Sequence, residues 1–286
     1  NELNDIIESS KKQEKTVNKK SKKNWLFLNK FKYTILSLSK MLEMLLNPKR
    51  SERRPWEMFI IGFVYAALAV LLVHWIFSGD VVLVKYSGIL IVTFTVMFSM
   101  PYIYYTIRLE EAKDYAYDNS ISLLKEHSKA IHALIWLFLG FIVAFSIMYI
   151  AIGSTDNYKA QIETFCIINS PGSYGSCVQE YGVTGQVTGS ISKSSLLGGI
   201  FTNNLYVLIF TIVFSIIFGA GGIFILTWNA SVISAAMVIF SKQDISSLPL
   251  SLARYMIHGL PEIAAYFLGT LAGGIVGLAI VRREFK

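Results

Sequence analysis

Apolar segments long enough to cross a lipid bilayer recur along this chain of 286 residues and constrain its fold more than any other feature. The clearest of them, residues 261–281, contains 21 residues, and about 20 apolar residues suffice for a helix to span the hydrocarbon core. Charged residues make up only 16% of the chain, whereas an average soluble domain carries about 25%. The sequence therefore predicts an all-α fold, a polytopic helical transmembrane bundle in the cell membrane.

Hydropathy assigns about six spans. They are residues 56–77, 85–107 with a kink near Pro101, 131–152, 201–228, 230–240 and 261–281. The fifth segment has only 11 residues. As a helix it would rise about 16 Å, which is too short to cross a hydrocarbon core of about 30 Å. It is either extended at both ends or re-entrant, so arrangements with five and with six spans both stay open.

The region before the first span differs from the rest of the chain in composition. Residues 1–23 are polar and rich in lysine, with too little apolar surface to offset the entropy of ordering, so we expect a disordered basic arm. Within residues 24–55, apolar side chains recur in steps of three and four, which predicts an amphipathic helix followed by a linker. That helix either lies in the membrane interface or packs against a partner helix. The transmembrane domain then occupies residues 56–286.

Positive charge is concentrated before the first span. Residues 1–55 contain 14 Lys and Arg against 6 Asp and Glu, a net charge of +8, whereas residues 56–286 have a net charge of −1. This pattern is typical of an arm that binds anionic lipid headgroups, and we favour that partner over nucleic acid. With six spans and the N-terminus inside, 21 of the 26 basic residues lie on the inner side, which predicts cytoplasmic N- and C-termini. Five spans would give a similar ratio.

The longest connection, residues 153–198, is predicted to lie outside the cell and is rich in Gly, Ser and Thr. It contains both cysteines of the chain, Cys166 and Cys177. An even number of cysteines confined to one external loop favours a disulfide, and two free thiols are the alternative. A disulfide would help this loop to form a small external subdomain or a contact for a partner protein.

Glycines recur at four-residue steps in the last span, at Gly269, Gly273 and Gly277. Such a row forms a groove in which another helix approaches closely. A second small-residue patch in the fourth span includes Gly219 and Gly222. These faces serve either oligomerisation or packing within one chain, and we favour packing because it is common in membrane bundles.

A polar sequence, His258-Gly259-Leu-Pro261-Glu262, directly precedes the last span. Gly259 stands where helices commonly end, Pro261 suits the first turn of the next helix, and Glu262 would face the positive end of that helix dipole. We therefore predict a helix–break–helix hinge. The pair of His258 and Glu262 either binds an ion or relays a proton, or forms a hydrogen bond that satisfies both groups, which is the interpretation we favour.

Three amides, Asn203, Asn204 and Asn229, lie in apolar surroundings and are expected to find partners, including His258 or Glu262 across the bundle. Motifs of metalloproteases, serine hydrolases, phosphate loops and Cys-x-x-Cys redox sites are absent from the sequence. We therefore expect a protein that is not an enzyme and that has no cofactor and no metal site.

Several of these features together resemble the stage II sporulation protein M family. The resemblance rests on Asn203-Asn204 opening a span, a glycine-rich turn at residues 219–222, the following Asn229, the segment His258-Gly259-x-Pro261-Glu262-x-Ala264 and a glycine-rich last span. It extends over about residues 203–281. This chain departs from the pattern where Ala-Ser follows Asn229, a position at which family members tend to have glycine.

The resemblance implies a polytopic membrane scaffold. In spore formers, the family member anchors a peptidoglycan-degrading complex, so other membrane or surface proteins are the expected partners, and a homo-oligomer is a further expectation. The alternative is a transporter, channel or permease subunit with a polar path at the His258–Glu262 helix break, because interrupted helices recur at transport sites.

Overall fold

The computed structural model describes residues 48–116, 120–153, 155–169, 173–181, 196–241, 246 and 248–282. The predicted basic arm and most of the predicted amphipathic helix therefore lie outside the described residues. All regular secondary structure in the described part is helical, which confirms the all-α fold class.

The helices are numbered here in chain order along the described residues. They are α1 Pro48–Arg53, α2 Glu57–Phe77, α3 Ser87–Ala116, α4 Ser120–Ile152, α5 Lys159–Asn169, α6 Tyr174–Glu180, α7 Leu196–Phe218, α8 Gly222–Phe240 and α9 Leu248–Arg282. Two short 3-10 helices, Leu83–Tyr86 and Thr155–Tyr158, precede α3 and α5.

Six of these helices are long and apolar enough to cross a membrane, namely α2, α3, α4, α7, α8 and α9. The chain is thus a multi-pass membrane protein. α8 is the central helix and packs against α3, α4, α5 and α9, so that 72% of its apolar stretch is buried. α7 is peripheral, with only 11% of its apolar stretch buried, and it packs mainly against α9.

The predicted fourth span, residues 201–228, is wrong at its end. α7 ends at Phe218, and Gly219 then adopts a φ of +67°, a conformation open to glycine because it lacks a Cβ atom. α8 begins at Gly222 and its 19 residues rise about 28 Å. The short segment assigned to residues 230–240 is therefore the second half of a helix of spanning length, which favours six spans over a re-entrant segment.

Three helices are longer than the predicted spans. α3, α4 and α9 contain 30, 33 and 35 residues, so they rise about 45 to 52 Å and exceed the hydrocarbon core. α3 continues through Pro101 as one helix. Residues 108–130, predicted to be a polar connection, are helical on both sides of residues 117–119. We call the end of the bundle formed by α1, the end of α3 and the start of α4 the α1 end.

At the opposite end, residues 155–169 and 173–181 form a compact cap from the second 3-10 helix, α5 and α6. Cys166 and Cys177 are joined there by a disulfide with an S–S distance of 2.04 Å, which confirms the predicted bond. Two residues of the cap, Tyr158 and Ile162, are fully buried. Part of the predicted external loop is therefore an ordered helical unit packed on the spans.

Candidate functional site

A polar cluster joins α7 to α9 within the apolar part of the bundle. The amide of Asn204 donates a hydrogen bond of 2.9 Å to Glu262 Oε2, and the Tyr266 hydroxyl donates one of 2.8 Å to Glu262 Oε1. Glu262 is half-buried and Tyr266 is buried. Since each carboxylate oxygen already has a donor, the cluster holds two helices together.

The sequence predicted Asn204 and Glu262 for this cluster but missed Tyr266. The available signal was the spacing of four residues between Glu262 and Tyr266, which places both side chains on one face of a helix. The other two amides lie elsewhere. Asn203 is exposed on α7, and Asn229 donates a hydrogen bond of 2.8 Å to the carbonyl oxygen of Ile225 within its own helix.

The predicted hinge before the last span is wrong. α9 is one helix from Leu248 to Arg282, with Gly259 and Pro261 inside it. Proline removes one backbone hydrogen bond, but its φ suits a helix, and transmembrane helices tolerate it because neighbouring groups satisfy the freed carbonyl. The side chain of His258 is outside the described part of the structure, so its pairing with Glu262 stays a prediction.

The glycine row of α9 forms a groove, and α7 of the same chain fills it. A methyl group at Gly273 would lie 2.8 Å from the carbonyl oxygen of Ile212, and one at Gly277 would fall on the carbonyl oxygen of Ile216. At Gly269 the nearest atoms belong to Leu208 at 3.0 Å. This face therefore packs helices within one chain.

The small-residue patch around α8 has two different roles. Gly222 contacts the buried hydroxyl groups of Ser215 on α7 and Thr270 on α9, and a Cβ atom there would collide with both. Gly219, by contrast, contacts nothing at its Cβ position and forms the turn between α7 and α8. Gly222 is thus a helix-packing residue, and Gly219 approaches α9 through its backbone, because a Cβ atom at Gly274 would lie 2.6 Å from the Gly219 carbonyl oxygen.

The cap is attached to the spans by buried side-chain hydrogen bonds. Gln161 is fully buried, and its amide donates to the carbonyl oxygen of Gly88 at 2.9 Å and to Ser231 Oγ at 3.2 Å. The amide of Asn157 donates to His74 Nδ1 at 3.1 Å. These bonds connect the cap to α2, α3 and α8.

Tyr158 adds a fourth attachment, because its hydroxyl donates to the carbonyl oxygen of Phe145 on α4 at 3.0 Å. The ring of Tyr158 also stacks on Tyr149 with centroids 4.6 Å apart. Sequence analysis missed Asn157, Tyr158 and Gln161. The available signal was a run of hydrogen-bonding side chains directly after a span, in a segment that we had assigned to a loop.

Asp80 shapes the neighbouring turn between α2 and α3. The backbone N–H groups of Leu83 and Val82 donate to Asp80 Oδ1 at 2.9 and 2.8 Å, and they hold the pKa of this carboxyl below its usual range. Val81 and Val82 in this turn are exposed. The turn presents apolar side chains on the cap end of the bundle.

A cluster of charged side chains closes the α1 end. Lys113 Nζ lies 2.9 Å from Glu52 Oε1 and 2.7 Å from Glu110 Oε1, and His127 Nδ1 lies 2.7 Å from Glu110 Oε2. His127 Nε2 is 3.0 Å from Asp114 Oδ1. We call these five residues the ionic cluster. The ionic cluster joins α1, α3 and α4. Four of its five side chains come from residues 108–130, which lie outside the spans assigned from hydropathy.

The geometry at His127 restricts the protonation of this cluster. A neutral imidazole has one N–H donor and one acceptor, whereas ionised carboxylates only accept. Both nitrogen atoms of His127 face carboxylates, of Glu110 and Asp114. The two contacts are satisfied together only when the cluster holds one additional proton, either on the imidazole or on a carboxyl group.

Arg282 makes a further ion pair at this end. Its Nη1 lies 2.8 Å from Glu111 Oε2, and the Glu111 side chain is almost completely buried. This contact connects the last described turn of α9 to α3. The sequence feature that could have indicated this ion pair is the adjacent pair Glu110-Glu111, because adjacent residues of a helix do not face the same neighbour.

Within the described residues, no group of three or more His, Cys, Asp or Glu side chains is placed to hold a metal ion. Glu262 is paired with an amide and a hydroxyl, and Glu110 with Lys113 and His127. These hydrogen bonds and ion pairs connect α7 to α9 and join α1, α3 and α4.

The sequence matches the family described as stage II sporulation protein M over residues 58–286. This match extends from the second residue of the first span through the last span, whereas the residues that carried the resemblance cover only about 203–281. No curated protein and no solved structure matches the chain.

Proposed function

Because this chain belongs to the stage II sporulation protein M family, we propose that it is a non-enzymatic scaffold that recruits partner proteins at the membrane. The observation that supports this role best is the cap, a unit closed by a disulfide and hydrogen-bonded to α2, α3, α4 and α8. A docking surface for another protein benefits from such rigidity, because little conformational entropy is then lost on binding.

The cap also exposes apolar side chains. Ile167 and Ile168 near the end of α5 are 41% and 50% exposed, next to the buried Cys166. Apolar side chains at the rim of an ordered unit are typical of contacts with another protein. We propose that the surface of α5 around Ile167 and Ile168 contacts the partner, a membrane or surface protein.

The proposal includes an orientation and further contacts. The charge distribution supports cytoplasmic N- and C-termini, which puts the cap outside the cell. The basic arm would bind anionic lipid headgroups. Assembly of several copies would use a surface other than the glycine groove, because α7 occupies that groove.

A transporter, channel or permease subunit is the second candidate, and the position of Glu262 within an apolar helix favours it. In this case α7 would separate from α9 and free the Glu262 carboxylate from Asn204 and Tyr266. Enzymatic activity has no comparable support.

Affinity purification of the full chain from native membranes, followed by mass spectrometry, tests the scaffold. The double variant Ile167→Ser/Ile168→Ser should lose a stoichiometric partner that the wild type retains. The matched control is Gln179→Ala/Glu180→Ala, which alters exposed polar side chains on α6 and should retain the partner.

One result would contradict the α5 surface as the contact, and another would contradict the scaffold itself. Equal recovery of the partner with all three proteins would exclude the α5 surface. A preparation with no partner at all, together with solute or ion flux in liposomes that Glu262→Ala abolishes, would instead establish transport.

A further inference from the structure

At the α1 end, most negative side chains are buried or partly buried, whereas several positive side chains are exposed. Five described carboxylates there are buried or partly buried and are each paired with a Lys or Arg side chain; they are Glu52, Glu57, Glu110, Glu111 and Glu126. A sixth, Asp114, is exposed and lies 3.0 Å from His127. Most negative charge among the described residues of this end is therefore paired, and positive charge remains at its surface.

Three exposed cations carry this positive charge close to the membrane. Lys49 and Arg53 on α1 and Arg108 on α3 are exposed and make no ion pair with a described residue. We call these three residues the basic collar. They belong to α1 and α3, not to the basic arm.

Neighbouring aromatic side chains place the collar at the level of lipid headgroups. Trp56, three residues after Arg53, is 53% exposed, and Tyr104, one helical turn before Arg108, is 43% exposed. Exposed Trp and Tyr side chains near the ends of spans mark the interface between membrane and water. Both arginines lie directly on the aqueous side of such a marker.

A hydrogen bond fixes α1 at the same level. Ser51 Oγ and the Tyr102 hydroxyl are 2.9 Å apart, and both residues are buried. The middle of α1 is thus held beside a residue of α3 that precedes Arg108 by less than two turns. Lys49 and Arg53, which flank Ser51, are therefore near the headgroups as well.

We propose that the basic collar binds anionic phospholipid headgroups in the adjacent leaflet. The interfacial level favours lipid over an acidic protein, because a soluble partner would more readily reach charges farther from the membrane. Each cation near the surface contributes up to about fivefold in affinity for anionic lipid, so three together enrich it severalfold around α1 and α3.

Lys125 offers a matched control. It is exposed and makes no ion pair with a described residue, but it lies farther from the membrane than Arg108. Lys113 is five residues beyond Arg108, about 8 Å along α3. Lys125 is at the level of Lys113, because Lys113 Nζ contacts the carbonyl oxygen of the adjacent residue Glu126 at 3.3 Å. Lipid enrichment should therefore depend on Arg108 much more than on Lys125.

The experiment uses the full chain with Tyr105→Cys carrying a fluorophore, a unique label because Cys166 and Cys177 form a disulfide. The protein is reconstituted in phosphatidylcholine vesicles with a nitroxide-labelled phosphatidylglycerol or, at equal mole fraction, a nitroxide-labelled phosphatidylcholine. The measured quantity is the ratio of quenching by labelled phosphatidylglycerol to quenching by labelled phosphatidylcholine, and this ratio should be severalfold above one. It should fall towards one in Lys49→Gln/Arg53→Gln/Arg108→Gln. It should stay near the unsubstituted value in Lys125→Gln.

Three outcomes would overturn the proposal. A ratio near one without the Gln substitutions would show no enrichment at the collar. An unchanged ratio in the triple variant would assign the enrichment to the basic arm. An unchanged ratio combined with loss of a copurifying acidic protein from native membranes would assign the collar to that protein.

Discussion

Asn203 and Asn204 are neighbours in the sequence, but only Asn204 reaches another helix. Its hydrogen bond to Glu262 crosses from α7 to α9, whereas Asn203 is exposed. We expect Asn204→Ala to lower the free energy of unfolding by about 1 kcal/mol, a typical value for a hydrogen bond between membrane helices. Thermal unfolding in detergent measures the loss, and Asn203→Ala should remain close to the wild type. Equal losses in both variants would mean that the change in helix propensity from Asn to Ala, and not the hydrogen bond to Glu262, determines the loss.

Lys113 permits a similar comparison within the ionic cluster. Lys113→Met would leave the fully buried Glu110 facing only His127 and would remove the contact of α3 with Glu52. Removal of one partner from a buried ion pair costs about 3 to 5 kcal/mol. Lys129→Met breaks an exposed pair with Glu126, which contributes about 0 to 1 kcal/mol. Chemical denaturation in mixed micelles should rank the variants in that order, and a reversed order would show that the cluster is solvated.

At the scale of elements, the contact between α7 and α9 depends on the absence of side chains. Gly273→Val would place its Cβ 2.8 Å from the Ile212 carbonyl oxygen and force the two helices apart. We expect a loss of about 1 to 3 kcal/mol, as in other overpacked interiors. Ala272→Val on the exposed face of the same helix is the control. If only Gly273→Val is cleaved faster than the wild type between α8 and α9, the close contact of α7 with α9 requires a glycine at position 273. Similar cleavage of both variants would contradict this requirement.

The sequence was sufficient for a helical bundle of about six spans and for the disulfide, because these follow from composition and spacing, which are local properties. It also named Asn204 among three amides expected to meet His258 or Glu262, but not which amide would do so. The end of α7 was missed because residues 201–228 remain apolar across the turn at Gly219, so hydropathy does not register it. The break at Pro261 was wrong for the opposite reason, since a residue that usually ends helices lies inside one here.

Most other contacts between helices could not be predicted. Residues 108–130 are polar and mixed in charge and therefore fell outside the predicted spans, but the structure pairs several of these charges across α1, α3 and α4. Gln161 likewise looked like an ordinary loop residue, although it is buried against α3 and α8. Such assignments require knowledge of which helices are neighbours, and a single sequence does not contain that information.

For the whole molecule, the proposed orientation predicts which engineered thiols an impermeant reagent reaches. The two native cysteines are in a disulfide, so a single introduced cysteine is a unique label. In intact cells Gly79→Cys, in the turn between α2 and α3, should react, whereas Lys125→Cys at the α1 end should react only after permeabilisation. The reverse pattern would place both termini outside and the cap in the cytoplasm.

The attachment of the cap has a mechanical consequence. Hydrogen bonds reach from it to His74 on α2, Gly88 on α3, Phe145 on α4 and Ser231 on α8. A tethered protein that pulled on the cap would therefore load four helices side by side, and these bonds would have to rupture together. A flexible loop would instead transmit the same tension to the end of a single helix and draw it out of the bilayer first. In the proposed scaffold, the cap end is therefore the end better suited to carry a mechanical load.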